Sequence, residues 1–116
     1  MMDYQEVKDL AESYKDVLGV ERTSKMALAV ISAEVDHKKT TLISAAYAAG
    51  QIDGKNAETR SAQEKIVLMD DNEYQRLLLD RAEQEANVSL VEVERRHAEA
   101  VISLTKAWLY SQSGVR

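Results

Sequence analysis

Apolar residues recur every three to four positions along most of the chain, which is typical of amphipathic α-helices. Together with the residues that begin and end helices, this pattern predicts four helices, over residues 3–18, 23–49, 56–69 and 71–111. Gly19 and Gly50 are expected to end the first two helices. Thr23 and Asn56 are expected to cap the second and third, and Asp70 to cap the last.

The second and fourth predicted helices each carry two apolar faces, which we call seams. In the second helix, one seam comprises Leu28, Ile31, Val35, Leu42, Ala45 and Ala49, and the opposite one Met26, Val30, Ala33, His37, Thr40, Ser44 and Tyr47. In the fourth helix, the first seam comprises Leu79, Ala82, Ala86, Leu90, Val93, His97, Val101, Leu104 and Trp108, and the second Val88, Val91, Ala98, Ile102 and Leu109. One seam of each helix can pack within the chain, and the other is expected to be exposed in a monomer.

The two seams predict an all-α protein in which the second and fourth helices pair. We expect a single domain over residues 1–116, an elongated antiparallel helical hairpin or bundle of about four helices that forms a homo-oligomer. The oligomer interface is expected at Val30, His37, Tyr47, Val91, Ala98, Ile102 and Leu109. The alternative is a monomeric bundle in which the first and third helices cover both spare seams.

Composition narrows the class of protein. Of 116 residues, 45% are apolar and 30% charged, a globular balance, and the absence of cysteine excludes disulfides, thiolate metal sites and a cysteine nucleophile. No stretch approaches the roughly 20 apolar residues of a membrane span, and the start resembles no signal peptide. We therefore expect a cytoplasmic protein without a membrane segment. No catalytic triad can be argued, so we expect neither an enzyme nor a cofactor.

The segment GQIDGKN, residues 50–56, has a superficial likeness to a phosphate-binding loop. Such a loop needs four residues between its glycines, Ser or Thr after the lysine, and a preceding strand. Three residues separate Gly50 from Gly54, Asn56 follows Lys55, and a helix precedes. These differences exclude a nucleotide-binding loop and predict a hinge, in which Gly54 takes a positive φ.

The only two histidines each follow a glutamate by three positions, as Glu34 with His37 and Glu94 with His97. This Glu-x-x-His spacing holds di-iron or di-manganese centres in four-helix bundles, together with one further glutamate from each of the other two helices. Glu12 and Glu64 are the candidates for that role. The alternative is that both histidines are ordinary seam residues.

Five basic residues could contact phosphates. Lys38 and Lys39 lie midway along the second predicted helix, and Lys55, Arg60 and Lys65 bracket the predicted hinge and continue along the third helix. The net charge of −5 argues against a broadly basic nucleic-acid binder. Repetition of the basic hinge in an oligomer would multiply its phosphate contacts. The alternative is that these are solvated helix charges with acidic neighbours.

A series of helices and turns covers the last two-thirds of the chain: YAAG at 47–50, QIDG at 51–54, NAETRSAQEKIVL at 56–68, DDNE at 70–73 and AVISLTKAWL at 100–109. This series resembles the phage recombination-mediator family of small helical early proteins. The resemblance implies an oligomeric accessory protein that binds single-stranded DNA and a recombinase or single-strand-binding protein. Members place basic residues in the glycine turn, where this sequence has Gln51 and Asp53.

A further hypothesis is a protein-binding module, such as an anti-defence protein. Its spare seam would then dock on a host protein, and no nucleic acid would be needed.

Overall fold

The structure, a computed structural model, describes residues 3–113, which contain three helices and no strand. The helices are α1 (Tyr4–Ala48), α2 (Ala57–Met69) and α3 (Asn72–Gln112). The all-α class and the long last helix are confirmed, but there are three helices where four were predicted. None of them, within residues 3–113, combines the length and apolar character needed to cross a bilayer.

The predicted helix break at Gly19 is wrong, because α1 continues through it. Thr23, the predicted cap, instead donates its hydroxyl to the Gly19 carbonyl at 3.0 Å, one helical turn back. A glycine inside a helix costs about 1 kcal/mol relative to alanine. Gly19 lies on the exposed side of α1, while Val17 and Glu21 continue the covered side past it. Tertiary packing therefore outweighs the local preference of glycine.

The chain divides into two compact units: unit 1 is Met1–Met26 with Ala86–Arg116, and unit 2 is Ala27–Glu85. Unit 1 is an antiparallel pair made by the first part of α1 and the last part of α3. Hydrogen bonds join Tyr14 to Glu99, Glu21 to Arg95, and Ser24 to Asn87. The covered positions follow heptad spacing on both helices: Val7, Leu10, Tyr14, Val17, Glu21 and Ser24 on α1, and Val88, Val91, Arg95, Ala98, Ile102 and Thr105 on α3.

Unit 2 contains the rest of α1, all of α2 and the start of α3. Its core residues are Val35 and Ala46 of α1, Ile52 of the loop between α1 and α2, and Tyr74 of α3. Polar contacts join the helices at the periphery of this core: Lys38 pairs with Glu73 at 3.0 Å, and the Tyr47 hydroxyl donates to Glu64 at 2.9 Å.

The start of α3 differs from its prediction by one residue. Asp71, and not Asp70, accepts the backbone N–H of Tyr74 at 2.8 Å and so caps the helix. Asp70 is the C-terminal cap of α2, where its own N–H donates to the Ile66 carbonyl. The end of α2 and the start of α3 thus lie at two adjacent aspartates. Aspartate is a favoured N-cap residue, so the sequence alone does not distinguish Asp70 from Asp71.

Candidate functional site

The GQIDGKN segment begins with a Schellman motif at the end of α1. Gly50 has a φ of 75°, the left-handed conformation that glycine favours. The Gln51 N–H donates to the Ala46 carbonyl at 2.9 Å, and the Gly50 N–H donates to the Tyr47 carbonyl at 3.2 Å. The prediction that Gly50 ends this helix is confirmed.

The rest of the segment is held by the first turns of α2. The Gln63 side chain accepts the N–H groups of Asp53 and Gly54, at 3.1 and 2.9 Å, and donates to the Asp53 carboxylate at 2.8 Å. Arg60 donates to the Gly54 carbonyl at 3.2 Å. Asn56 caps α2 by accepting the Thr59 N–H at 2.8 Å, as predicted. The N–H groups of Asp53 and Gly54 are therefore bonded within the protein, whereas a phosphate-binding loop would use its N–H groups to bind a ligand.

Gly54 has a different role from the one predicted, because its φ is not positive. A Cβ at this position would lie 2.8 to 2.9 Å from Thr59 Cγ2, Thr59 Cβ and the Arg60 nitrogen. Glycine is required so that the segment can approach the start of α2 closely. The adjacent Ile52 is buried, so the segment is a packed element of unit 2.

The five predicted phosphate-binding residues all lie in unit 2 but differ in availability. Lys38 is paired with Glu73, and this hydrogen bond raises the pKa of Lys38. Arg60 is half-buried and bonded to the Gly54 carbonyl. Within residues 3–113, Lys39, Lys55 and Lys65 are exposed and have no ion-pair partner. Lys39 shares a shallow groove with Asp36 and Glu64, which lowers the positive potential there.

The second seam of α3, on which part of the oligomer interface was predicted, is the one that packs within the chain. Val91, predicted at the oligomer interface, is 5% exposed and packs within the chain, and Ala98 and Ile102 are half-buried beside it. Leu90, Val93 and Leu104 of the other seam are 65%, 59% and 71% exposed. Two neighbouring faces of α3 have similar apolar patterns. Polar side chains of α1 form hydrogen bonds on the covered side of α3, as Glu21 does with Arg95.

The exposed seam of α3 within unit 1 is called the outer stripe. Its members are Ala86, Leu90, Val93, His97, Val101, Leu104 and Trp108, of which Val101 and Trp108 are half-buried and the others exposed. The remaining predicted interface residues are also at the surface, with Val30, His37 and Tyr47 exposed in unit 2 and Leu109 at the margin in unit 1.

A polar cluster interrupts the covered seam of unit 1. Arg95 donates to Glu21 and, at 3.0 Å, to Glu99, which also accepts the Tyr14 hydroxyl at 3.1 Å. The hydrogen bond to Glu99 raises the pKa of Tyr14. Burial opposes ionisation of Glu21, but hydrogen bonds from Arg95 and Lys25 outweigh it and lower the Glu21 pKa. Hydrogen bonds from Arg95 and Tyr14 also lower the Glu99 pKa. Polar clusters at such positions are typical of side chains that specify which residues of two helices meet.

The two Glu-x-x-His pairs fall in different units: Glu34 and His37 in unit 2, Glu94 and His97 in unit 1. Within residues 3–113, no three Asp, Glu or His side chains are grouped as metal ligands. The di-metal hypothesis therefore gains no support from the described geometry.

Two features of the site were missed in the sequence. Gln63, which holds the loop, carries no local signal, because its partners lie nine and ten positions earlier. The polar cluster had a signal, since Glu21 and Arg95 occupy heptad positions within mostly apolar seams. Charged residues at such positions are typical of register devices.

We compared the chain with protein-family models, curated proteins and solved structures, and none of them matches it.

Proposed function

We propose that this chain is a helical protein-binding module that docks the outer stripe on a helix of another chain and performs no chemistry of its own. The exposure of apolar side chains along one face of α3 supports the proposal. Leu90, Val93 and Leu104 are mostly exposed, while the neighbouring seam of the same helix is already covered by α1. Apolar side chains in a continuous exposed row indicate an interaction surface, whereas single ones do not.

The spacing of the outer stripe favours a helix as its occupant. Steps of three and four residues place these side chains along one line of α3, the geometry of helix-to-helix packing. The line combines the small Ala86 with the large Leu90 and Leu104, and such differences in size leave room for side chains from a facing helix. An amphipathic helix is therefore the expected class of partner.

Selection from a displayed peptide library tests the proposal. The library carries random amphipathic helices and also residues 86–108 of this chain. We expect the wild-type protein to enrich helices with apolar residues at three- and four-residue steps. The double variant L90K/L104K should enrich none, and V20K/M26K, which changes exposed apolar residues of α1 in the same unit, should behave as wild type. Enrichment that is absent, or equal for all three proteins, would reject the proposal.

Single-stranded DNA binding is the second candidate function, and it is the one that the recombination-mediator resemblance implies. The observation in its favour is that Lys39, Lys55 and Lys65 are exposed without an ion-pair partner among residues 3–113. Hydrogen bonds made by Gly54 and Asn56 also hold the backbone on both sides of Lys55 in one conformation. A recombinase or single-strand-binding protein would then be the partner of the outer stripe.

Binding of a fluorescent oligonucleotide, measured against salt, tests this second candidate. The triple variant K39A/K55A/K65A should lose binding, with a smaller salt slope. The matched control K8A/K15A/K106A removes the same charge from exposed lysines of unit 1 and should bind almost as wild type. Equal losses would show that only net charge matters, and no binding at low salt would end this hypothesis.

A further inference from the structure

The spacing of the outer stripe is the same in both directions along α3 from His97. From His97, the flanking members lie four, seven and eleven positions away on each side. They are Val93 and Val101, then Leu90 and Leu104, then Ala86 and Trp108. The nearer two pairs match in residue type as well as position, so the stripe has the symmetry of a surface that can pair with itself.

We infer that the partner of the outer stripe is a second copy of this chain, paired antiparallel through α3 about a two-fold axis at His97. The inference rests on the proposed function and names its partner. A two-fold interface needs a patch that is complementary to itself, and the spacing supplies one. Val93 then meets Val101 of the other copy, and Leu90 meets Leu104. Ala86 lies opposite Trp108, so a small side chain leaves room for the largest one.

A parallel pairing would match the apolar residues equally well but would place like charges together. Glu94, exposed beside the stripe, would then lie opposite its own counterpart, and the two carboxylates would repel each other. In the antiparallel pairing Glu94 lies opposite Ala100, because both are three positions from His97. The charges at the margin therefore favour the antiparallel arrangement.

The pairing is expected to be reversible. From Ala86 to Trp108 the stripe extends about 33 Å along the helix and contributes seven side chains from each copy. A standard interface uses roughly 20–30 residues a side. We therefore expect dimers that dissociate on dilution, detectable by sedimentation over a series of concentrations.

Disulfide trapping tests the arrangement, because the chain has no cysteine of its own and a disulfide requires two Cα atoms about 4.4–6.8 Å apart. We expect H97C alone to form disulfide dimers. L90C alone should not, whereas L90C mixed with L104C should. Efficient dimers of L90C alone would indicate parallel pairing, and crosslinking of L90C to V93C would indicate another register. Either result would overturn the inference.

Sedimentation of uncrosslinked variants completes the test. L90K/L104K should weaken dimerisation by about tenfold or more, with its helical circular dichroism unchanged because both side chains are exposed. V20K/M26K should dimerise as wild type. A wild-type protein that stays monomeric at every concentration would refute self-pairing. If such a monomer still enriched foreign helices from the library, the proposed function would stand, and if it enriched none, both would fail.

Discussion

The two units build a helical core in different ways. Unit 2 has three helices and buries Val35, Ala46, Ile52 and Tyr74. Unit 1 has only two, and its most buried residues are Ser24, Val88 and Val91, flanked by the Glu21–Arg95 ion pair. The additional segments of unit 2 contribute to this difference, because the loop before α2 supplies the buried Ile52, which has no counterpart in unit 1.

The outer stripe lies in the unit that has only two helices. A pair of helices can cover only one face of each, so an apolar second face stays exposed unless another chain packs on it. Unit 1 also fills part of its covered seam with charged and hydroxyl groups, which specify register more than they add stability. A thin, polar core beside an exposed apolar row is more typical of a protein that assembles than of an isolated bundle.

The largest expected effect comes from the apolar core, where the units can be compared with one substitution. Ile52→Ala should destabilise the protein by about 3 kcal/mol, because it leaves a cavity at a buried site. Ile102→Ala in unit 1 should cost about half as much, because Ile102 is only half-buried. Urea unfolding followed by circular dichroism measures both. Equal losses would mean that the two cores are packed alike.

Gly54→Ala tests the close approach of the loop to α2 in unit 2. The new Cβ would clash with Thr59 and the Arg60 nitrogen, so we expect a loss of about 2 kcal/mol. Adding Thr59→Ala should restore only part of it, since the contact with Arg60 remains. Gly50→Asn is the control, because asparagine tolerates a positive φ and nothing lies within 4 Å of a Cβ there. A neutral Gly54→Ala variant would show that the loop moves freely.

Much of the fold follows from sequence patterns that act over short distances. The helical class, the end of α1 at Gly50, and the cap of α2 at Asn56 all depend on residues close to one another. Gly19 could not be assigned in this way, because its local preference for a break is overcome by packing against residues more than 70 positions away. Local signals and tertiary packing disagree at this position, and the packing is stronger.

The candidate site was harder to predict than the fold. Both seams of α3 are apolar, and a seam that packs inside a chain has the same periodicity as one that packs outside it. The polar residues distinguish the two seams, because Arg95 of the covered seam forms an ion pair with Glu21 of α1. That pairing depends on the register of two distant helices. The symmetry of the outer stripe, by contrast, is readable from the sequence once the exposed seam is known.

Gly19→Ala should stabilise unit 1 by about 1 kcal/mol, the gain expected for replacing glycine in an exposed helix interior. Its Cβ would meet nothing within 4 Å. The reverse change at another exposed position of the same unit, Ala11→Gly, should cost about the same amount. Thermal unfolding of the two variants measures the pair of effects. A loss of stability in Gly19→Ala would mean that the protein needs a bend at this position.

The smallest expected effect concerns the polar cluster of unit 1 and its dependence on pH. The pKa values of Glu21 and Glu99 lie below the ordinary value of 4.5. The folded protein therefore binds these two protons less readily than the unfolded chain. The resulting stability is fully present above about pH 5 and is lost as the pH falls through the folded pKa values. In unit 2 the hydrogen bond to Glu73 raises the pKa of Lys38, so the contribution of the Lys38 charge is lost as the pH rises through that pKa.

The variant Glu21→Gln separates the contribution of Glu21 to pH-dependent stability from that of Glu99. At neutral pH the variant should melt at a lower temperature than wild type, because Arg95 keeps only Glu99 as a partner. Between about pH 5 and pH 3 it should lose less stability, since one of the two perturbed carboxyls is gone. Glu12→Gln, on the exposed surface of the same unit, is the matched control. If both variants showed the same pH dependence as wild type, the cluster would fix register without contributing to stability in acid.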